Sequence, residues 1–143
     1  MKRLVRIIAL ALAVVTLFII PVGAEEAENR ASSYFMTSNA YLNKTTALKF
    51  QAYFSVAAFN SMDELGASSI KIQQSSDGSN WTTVKTYTKA AYPYLIGRDT
   101  GIHSAFVTYT GTTGYYYRAQ ITLYAKQGNG IGELVRYTSR IEL

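Results

Sequence analysis

The sequence predicts an all-β protein: one domain, a single antiparallel β-sandwich of about seven strands. Three observations predict it. From residue 33 onward, apolar and polar residues alternate with a period of two, as in half-buried strands. Clusters of Gly, Asn, Asp and Ser break the alternation at short, regular intervals. No stretch of ordinary helical length carries a 3.6-residue period.

Residues 1–24 have a different composition. Lys2, Arg3 and Arg6 precede an uncharged apolar run from Ile7 to Ile20, which Pro21 ends, and Val22-Gly23-Ala24 follows. A basic start, a short apolar core and small residues before a cut describe a secretory signal peptide. The run is shorter than the roughly 20 apolar residues of a comfortable membrane span. The expectation is cleavage near Ala24 and secretion, with no membrane attachment afterwards; an uncleaved anchor is the alternative. Removing the three leader cations leaves eleven Lys and Arg against nine Asp and Glu, so the formal charge falls from +5 to +2. No basic cluster remains to make the electrostatic footprint of a nucleic-acid binder. The chain has no cysteine. A Cys-free exported domain must rely on its apolar core alone, which points to a bacterial exporter, particularly a Gram-positive one.

Residues 25–32 are charged and small and read as a loose tail before the 33–143 domain. A weak strand falls near Tyr34–Leu42. In residues 48–56, Leu48, Phe50, Ala52, Phe54 and Val56 share one face, and Lys49, Gln51 and Ser55 the other. Asn60–Gly66 reads as a polar connection with room for one helical turn. Alternation returns at Ser69–Gln73. Ser75–Asn80 contains Asp77-Gly78, a hairpin signal, and Trp81–Tyr87 supplies the partner strand. Lys89–Gly101, with Pro93, Gly97 and Gly101, reads as irregular. Ile102–Thr110 is the next strand, Gly111–Gly114 a turn, and Tyr115–Ala125 a long strand with Tyr117, Ala119, Ile121 and Leu123 facing inward. Gln127–Gly132 reads as a glycine-rich loop before a last strand, Glu133–Glu142. The expected core is Leu48, Phe50, Phe54, Val56, Ile70, Ile72, Trp81, Val84, Phe106, Tyr117, Ala119, Ile121 and Leu123. Seven strands in about 110 residues suit an immunoglobulin-like or fibronectin-III-like sandwich.

Two motifs carry a resemblance. The stretch Ile70–Trp81, a strand followed by Ser75-Ser76-Asp77-Gly78-Ser79-Asn80-Trp81, resembles the central hairpin of bacterial fibronectin-III-like modules. Gly114-Tyr115-Tyr116-Tyr117-Arg118 resembles the start of their penultimate strand, where a tyrosine packs at the sheet corner. The layout is also similar to small secreted proteins of Gram-positive bacteria. The resemblance implies a fold and a location, and no catalytic or binding residues.

The chemistry-bearing residues are sparse. His103 is the only histidine; Asp99 and Ser104 lie near it in sequence, but adjacent strand residues point to opposite faces. With no Cys and one His, a transition-metal site is not expected. The carboxylates fall at turns and strand ends with no pair suited to glycoside hydrolysis. Asp77-Gly78-Ser79-Asn80 lacks the alternating acidic ligands of a calcium loop. Gly128–Gly132 precedes no helix and so makes no phosphate cradle. Neither catalysis nor a cofactor is expected.

The unusual feature is twelve tyrosines, all beyond residue 33. Tyrosine carries a large apolar area with a polar tip, which suits recognition surfaces, although it is also an ordinary strand former. Tyr92 and Tyr94 flank Pro93, while Tyr116 and Tyr124 lie opposite the expected core face. These four are the candidate binding residues, with the loops Asn60–Gly66, Tyr92–Gly101 and Gln127–Gly132 around them. The expected function is a secreted, non-enzymatic binding module for a glycan, the cell wall or a protein at a cell surface. A small secreted effector acting on neighbouring cells, antimicrobial or signalling, is the alternative.

Overall fold

The structure, a computed structural model, describes residues 33–143; the expected leader and tail lie outside them. The strands are β1 (Phe35–Lys44), β2 (Lys49–Ser75), β3 (Thr82–Thr88), β4 (Ile96–Thr110), β5 (Tyr116–Gln127), β6 (Gly130–Tyr137) and β7 (Ile141–Glu142), with one 3-10 turn at Pro93–Leu95. All pairings are antiparallel and belong to one seven-stranded sheet.

The organising element is β2, 27 residues long. Its first half lies between β1 and β4, with Tyr53 opposite both Tyr41 and Phe106. Its second half lies between β3 and β5, with Ile70 opposite Tyr87 and Ile121. The sheet curls so that the two halves share one core: Phe50 of the first half meets Tyr117 of β5, ring centroids 5.3 Å apart. Tyr117 is fully buried, and its hydroxyl accepts the Thr112 N–H at 2.8 Å and donates to Gln74 Oε1 at 3.2 Å. That tyrosine ties β5 to the turn before it. Along the far rim, Arg136 Nε of β6 donates to Ser38 Oγ of β1 at 3.0 Å.

Several expectations are corrected. Asn60–Gly66 is not a loop but the middle of β2, where Glu64, Leu65 and Gly66 pair with β4 on one side and β5 on the other. Its inward residues, Met62 and Leu65, stand three apart rather than two, and the ladder to β4 shifts register between Ala57 and Met62. This breaks the period-two signal. A Cβ at Gly66 would overlap the Leu95 carbonyl oxygen, so glycine lets the chain pass there. Only residues 89–95 of the expected irregular segment are irregular; 96–101 belong to β4. The glycine-rich loop shrinks to a turn at Gly128-Asn129, and the last strand divides into β6 and β7. The core also differs. Leu48, Val84 and Phe106 are exposed and Trp81 is half-buried, whereas Met62, Leu65, Leu95 and Val107 are buried. β4 carries apolar residues on both faces, and the inward set is His103, Ala105, Val107 and Tyr109, one residue out of phase with the expectation.

The Asp77-Gly78 hairpin forms as expected, with Gly78 at φ +74°, where a side chain would be strained. The Asp77 carboxylate accepts the backbone N–H groups of Ser79 and Asn80 (2.8 Å each), the Asn80 amide (2.6 Å) and the Ser75 hydroxyl (2.8 Å). These bonds, led by the Asn80 and Ser79 N–H groups, hold its pKa far below the ordinary 3.8.

Two outcomes follow. Leu65→Ala costs about 2–5 kcal/mol in chemical denaturation, as a buried leucine should, while Leu48→Ala costs under about 1 kcal/mol. Asp77 stabilises the fold as the anion, so its contribution is complete above pH 3.8 and is lost as pH falls from there toward its depressed native pKa. The stability gap between wild type and Asp77→Asn, measured by urea melts across pH, is therefore flat near neutrality and narrows in acid.

Candidate functional site

Three aromatic rings stand in register across the outer face of the three-stranded half. Tyr41 of β1 and Tyr53 of β2 have ring centroids 5.2 Å apart with planes 6° from parallel, and Phe106 of β4 lies 4.7 Å from Tyr53. Parallel rings this close must overlap face to face, because two rings side by side in one plane would sit further apart. Tyr53 is therefore flanked on both sides, while Tyr41, 46% exposed, ends the row with one face covered. The rows around them hold Asn43, Gln51 and Thr108 on one side and Asn39, Ser55 and Ser104 on the other. None of these side chains is charged.

Beside Phe106 lies a groove of about 530 Å³ lined by Tyr53, Tyr94, Ser104, Ala105 and Phe106. Ser104 and Phe106 point outward while Ala105 points inward, so a groove touching all three runs along the edge of β4. Tyr94, 51% exposed, forms the opposite wall. The 3-10 turn that carries it is set by Pro93 at its start and by buried Leu95. It is also tied back to β4: His103 Nε2–H donates to the Tyr94 carbonyl oxygen at 3.0 Å. Burial, and secondarily the neighbouring Tyr92, pushes the Tyr94 hydroxyl above its ordinary pKa of 10.0, so the groove stays uncharged at physiological pH.

The groove follows an edge with open backbone groups. β4 pairs only with β2, and in an antiparallel ladder alternate residues turn N–H and C=O toward the partner or away from it. Four hydrogen bonds fix which residues point away. Gly111 N–H bonds the Leu48 carbonyl, placing the odd-numbered residues of this stretch in the ladder. Thr108 turns its carbonyl outward, where the Tyr87 hydroxyl donates to it at 2.8 Å. Ile102 turns both groups outward, and the Thr100 hydroxyl satisfies them, at 2.8 Å to the carbonyl and 3.2 Å from the N–H. Between these capped positions, Ser104 and Phe106 have N–H and C=O groups aimed outward with no partner among the described residues.

The expected binding residues separate. Tyr94 lines the groove. Tyr92 is half-buried edge-on against Tyr87, centroids 5.1 Å apart. Tyr116 is half-buried under Arg140, whose guanidinium lies 4.7 Å from its ring centre. Tyr124 lies on the expected outer face but its exposure is corrected: it is 6% exposed, with Lys89 Nζ 3.6 Å above its ring. Burial alone would depress the Lys89 pKa, but Tyr124 and Glu64 beside it more than offset this and raise it. Glu64 also binds Arg98 at 3.3 Å, so this cluster is internally paired. On the other half, Arg118 lies between Trp81 and Tyr137, 4.4 and 4.8 Å from their ring centres. Sequence reasoning missed Tyr41, Tyr53 and Phe106. Tyr53 could have been found, since it falls on the polar face of the clearest strand.

No protein-family model matches the chain, and no curated protein matches it. Among solved structures it is similar to Spo0M, a sporulation control protein from Bacillus subtilis, with a TM-score of 0.43 and 12% identity over 75% of this chain. The match spans 49% of that protein's chain.

The edge assignment has a direct check in amide hydrogen exchange. Ser104 and Phe106 exchange rapidly, while Ala105 and Val107, bonded into the β2 ladder, are strongly protected.

Proposed function

We propose that the chain is an exported, non-enzymatic binding module, and that its ligand is a protein displayed at a cell surface, held in the Tyr94–Phe106 groove. The observation that carries this reading is the groove itself. It is an uncharged slot with exposed aromatic walls, built on a strand whose outward backbone groups are open. Exposed aromatics beside a hydrogen-bonding rim are the usual anchors of protein recognition. A sugar platform needs ring faces laid open to solvent, and the stacking of Tyr41 on Tyr53 takes up one face of each. Among the ligands considered from sequence, a protein therefore fits better than a glycan.

The finer fold reading belongs here too. Three strands (β1, first half of β2, β4) face four (β3, second half of β2, β5, β6), a division that supports a fibronectin-III-like sandwich whose second and third strands have fused into β2. Residues 1–24 support export through their signal-peptide pattern.

The test is binding to intact bacterial cells, insoluble polysaccharides, peptidoglycan and mucin. Saturable binding to cells, abolished by pre-treating the cells with protease, is the expected outcome. Tyr94→Ala weakens it at least tenfold, and Tyr137→Ala, on the other half of the sheet, leaves it unchanged. Binding to purified polysaccharide that survives Tyr94→Ala would sink the proposal.

A further inference from the structure

The four open groups of Ser104 and Phe106 say more about the ligand than the groove's shape does. Ser104 and Phe106 each present one N–H and one C=O on the same edge, two residues apart. That is the pattern a neighbouring antiparallel strand satisfies, by exchanging two hydrogen bonds with each residue. A compact ligand would leave part of the row unpaired, at the penalty that buried, unsatisfied backbone groups carry. The row also has a fixed length. Ile102 is closed by Thr100 and the Thr108 carbonyl by Tyr87, so between these caps an added strand gains four main-chain bonds, with only the N–H of Thr108 open beside them. No charged side chain lines the groove, whose volume is about 530 Å³.

We propose that this edge takes an extended, uncharged peptide segment of a partner protein, about three to five residues long, as an added strand. An aromatic or branched apolar side chain of the segment enters the slot between Tyr94 and Phe106. The inference rests on the groove being the binding site, and it supplies the chemistry of the occupant: main-chain pairing for affinity and one side-chain slot for selectivity. A second copy of this chain is a poorer occupant. A stable pair of folded subunits buries roughly 1,200–2,000 Å², and the open edge here is only three residues long.

Two variants separate the main-chain contribution from the slot. Ser104→Pro removes an outward N–H and adds a ring on the free edge. It leaves the ladder to β2 untouched, because Ser104 makes no bond to it, and His103 before it is already extended. Tyr94→Ala removes one wall of the slot.

The probe is an acetylated, amidated Thr-Val-Tyr-Val-Thr peptide, titrated into isotope-labelled protein and followed by NMR. The expected result is saturable shifts centred on the Ser104 and Phe106 amides, which also become protected from exchange. A peptide N-methylated at alternate residues, so that its facing edge has no N–H, binds at least tenfold more weakly. Ser104→Pro melts like wild type and loses the peptide.

Equal binding by Ser104→Pro and wild type overturns strand addition, as does the absence of shifts at millimolar peptide. If binding still falls with Tyr94→Ala in that case, the groove stands as the site and only the strand is wrong. If neither variant changes binding to peptide or to cells, both readings fall. Concentration-dependent broadening of the same two amides without peptide assigns the edge to a second copy and overturns the proposal. Shifts of the Tyr94 and Phe106 rings by dextran, with the amides unmoved, overturn it in favour of a sugar.

Discussion

Everything in this fold depends on β2 being hydrogen-bonded along both edges. A strand of 27 residues cannot stay flat with one face buried, since its own twist would carry that face away from the core. Register shifts at Ala57/Met62 and Ala67/Ser69 bend it, and each lies where the strand passes from one set of partners to the next. The bend lets Phe50 at one end and Ile72 at the other bury against the same core. Leu65, wholly buried midway, holds the bend in place, and Gly66 beside it admits the Leu95 carbonyl. Because that contact also anchors the turn carrying Tyr94, the curvature of the core and the wall of the groove are one construction.

What the sequence made legible follows from how burial writes itself into local pattern. Residues 50–56 and 117–123 have one clean apolar face each, and their inward residues were read correctly. The Asp77-Gly78 turn needs only local chemistry and was equally readable. The middle of β2 was not. Its polar residues point outward on a bent strand, and Met62 and Leu65 break the two-residue spacing that strand reading relies on. β4 was misphased for the opposite reason: Ile102 and Phe106 are as apolar as the Val107 face, so alternation could not say which side was in.

The candidate site was partly legible for a related reason. Tyr94 announces itself beside Pro93 in a break between strands. Tyr124 was placed on the outer face correctly, yet Lys89 covers it, a long-range fact that no period encodes. The open edge of β4 is harder still to foresee. Whether a strand is interior or peripheral depends on which other strands reach it, and here β3 occupies the continuation of the same β2 edge without extending alongside β4.

The hydroxyls of Thr100 and Tyr87 have a consequence for how the protein behaves in crowded surroundings. β4 is a peripheral strand of 15 residues, long enough, if open throughout, to seed sheet growth from one molecule to the next. By closing Ile102 and the Thr108 carbonyl, the two side chains interrupt that run at both ends of the Ser104–Phe106 stretch. The protection comes from two hydroxyl oxygens, one of them on Tyr87, a residue whose ring packs in the core.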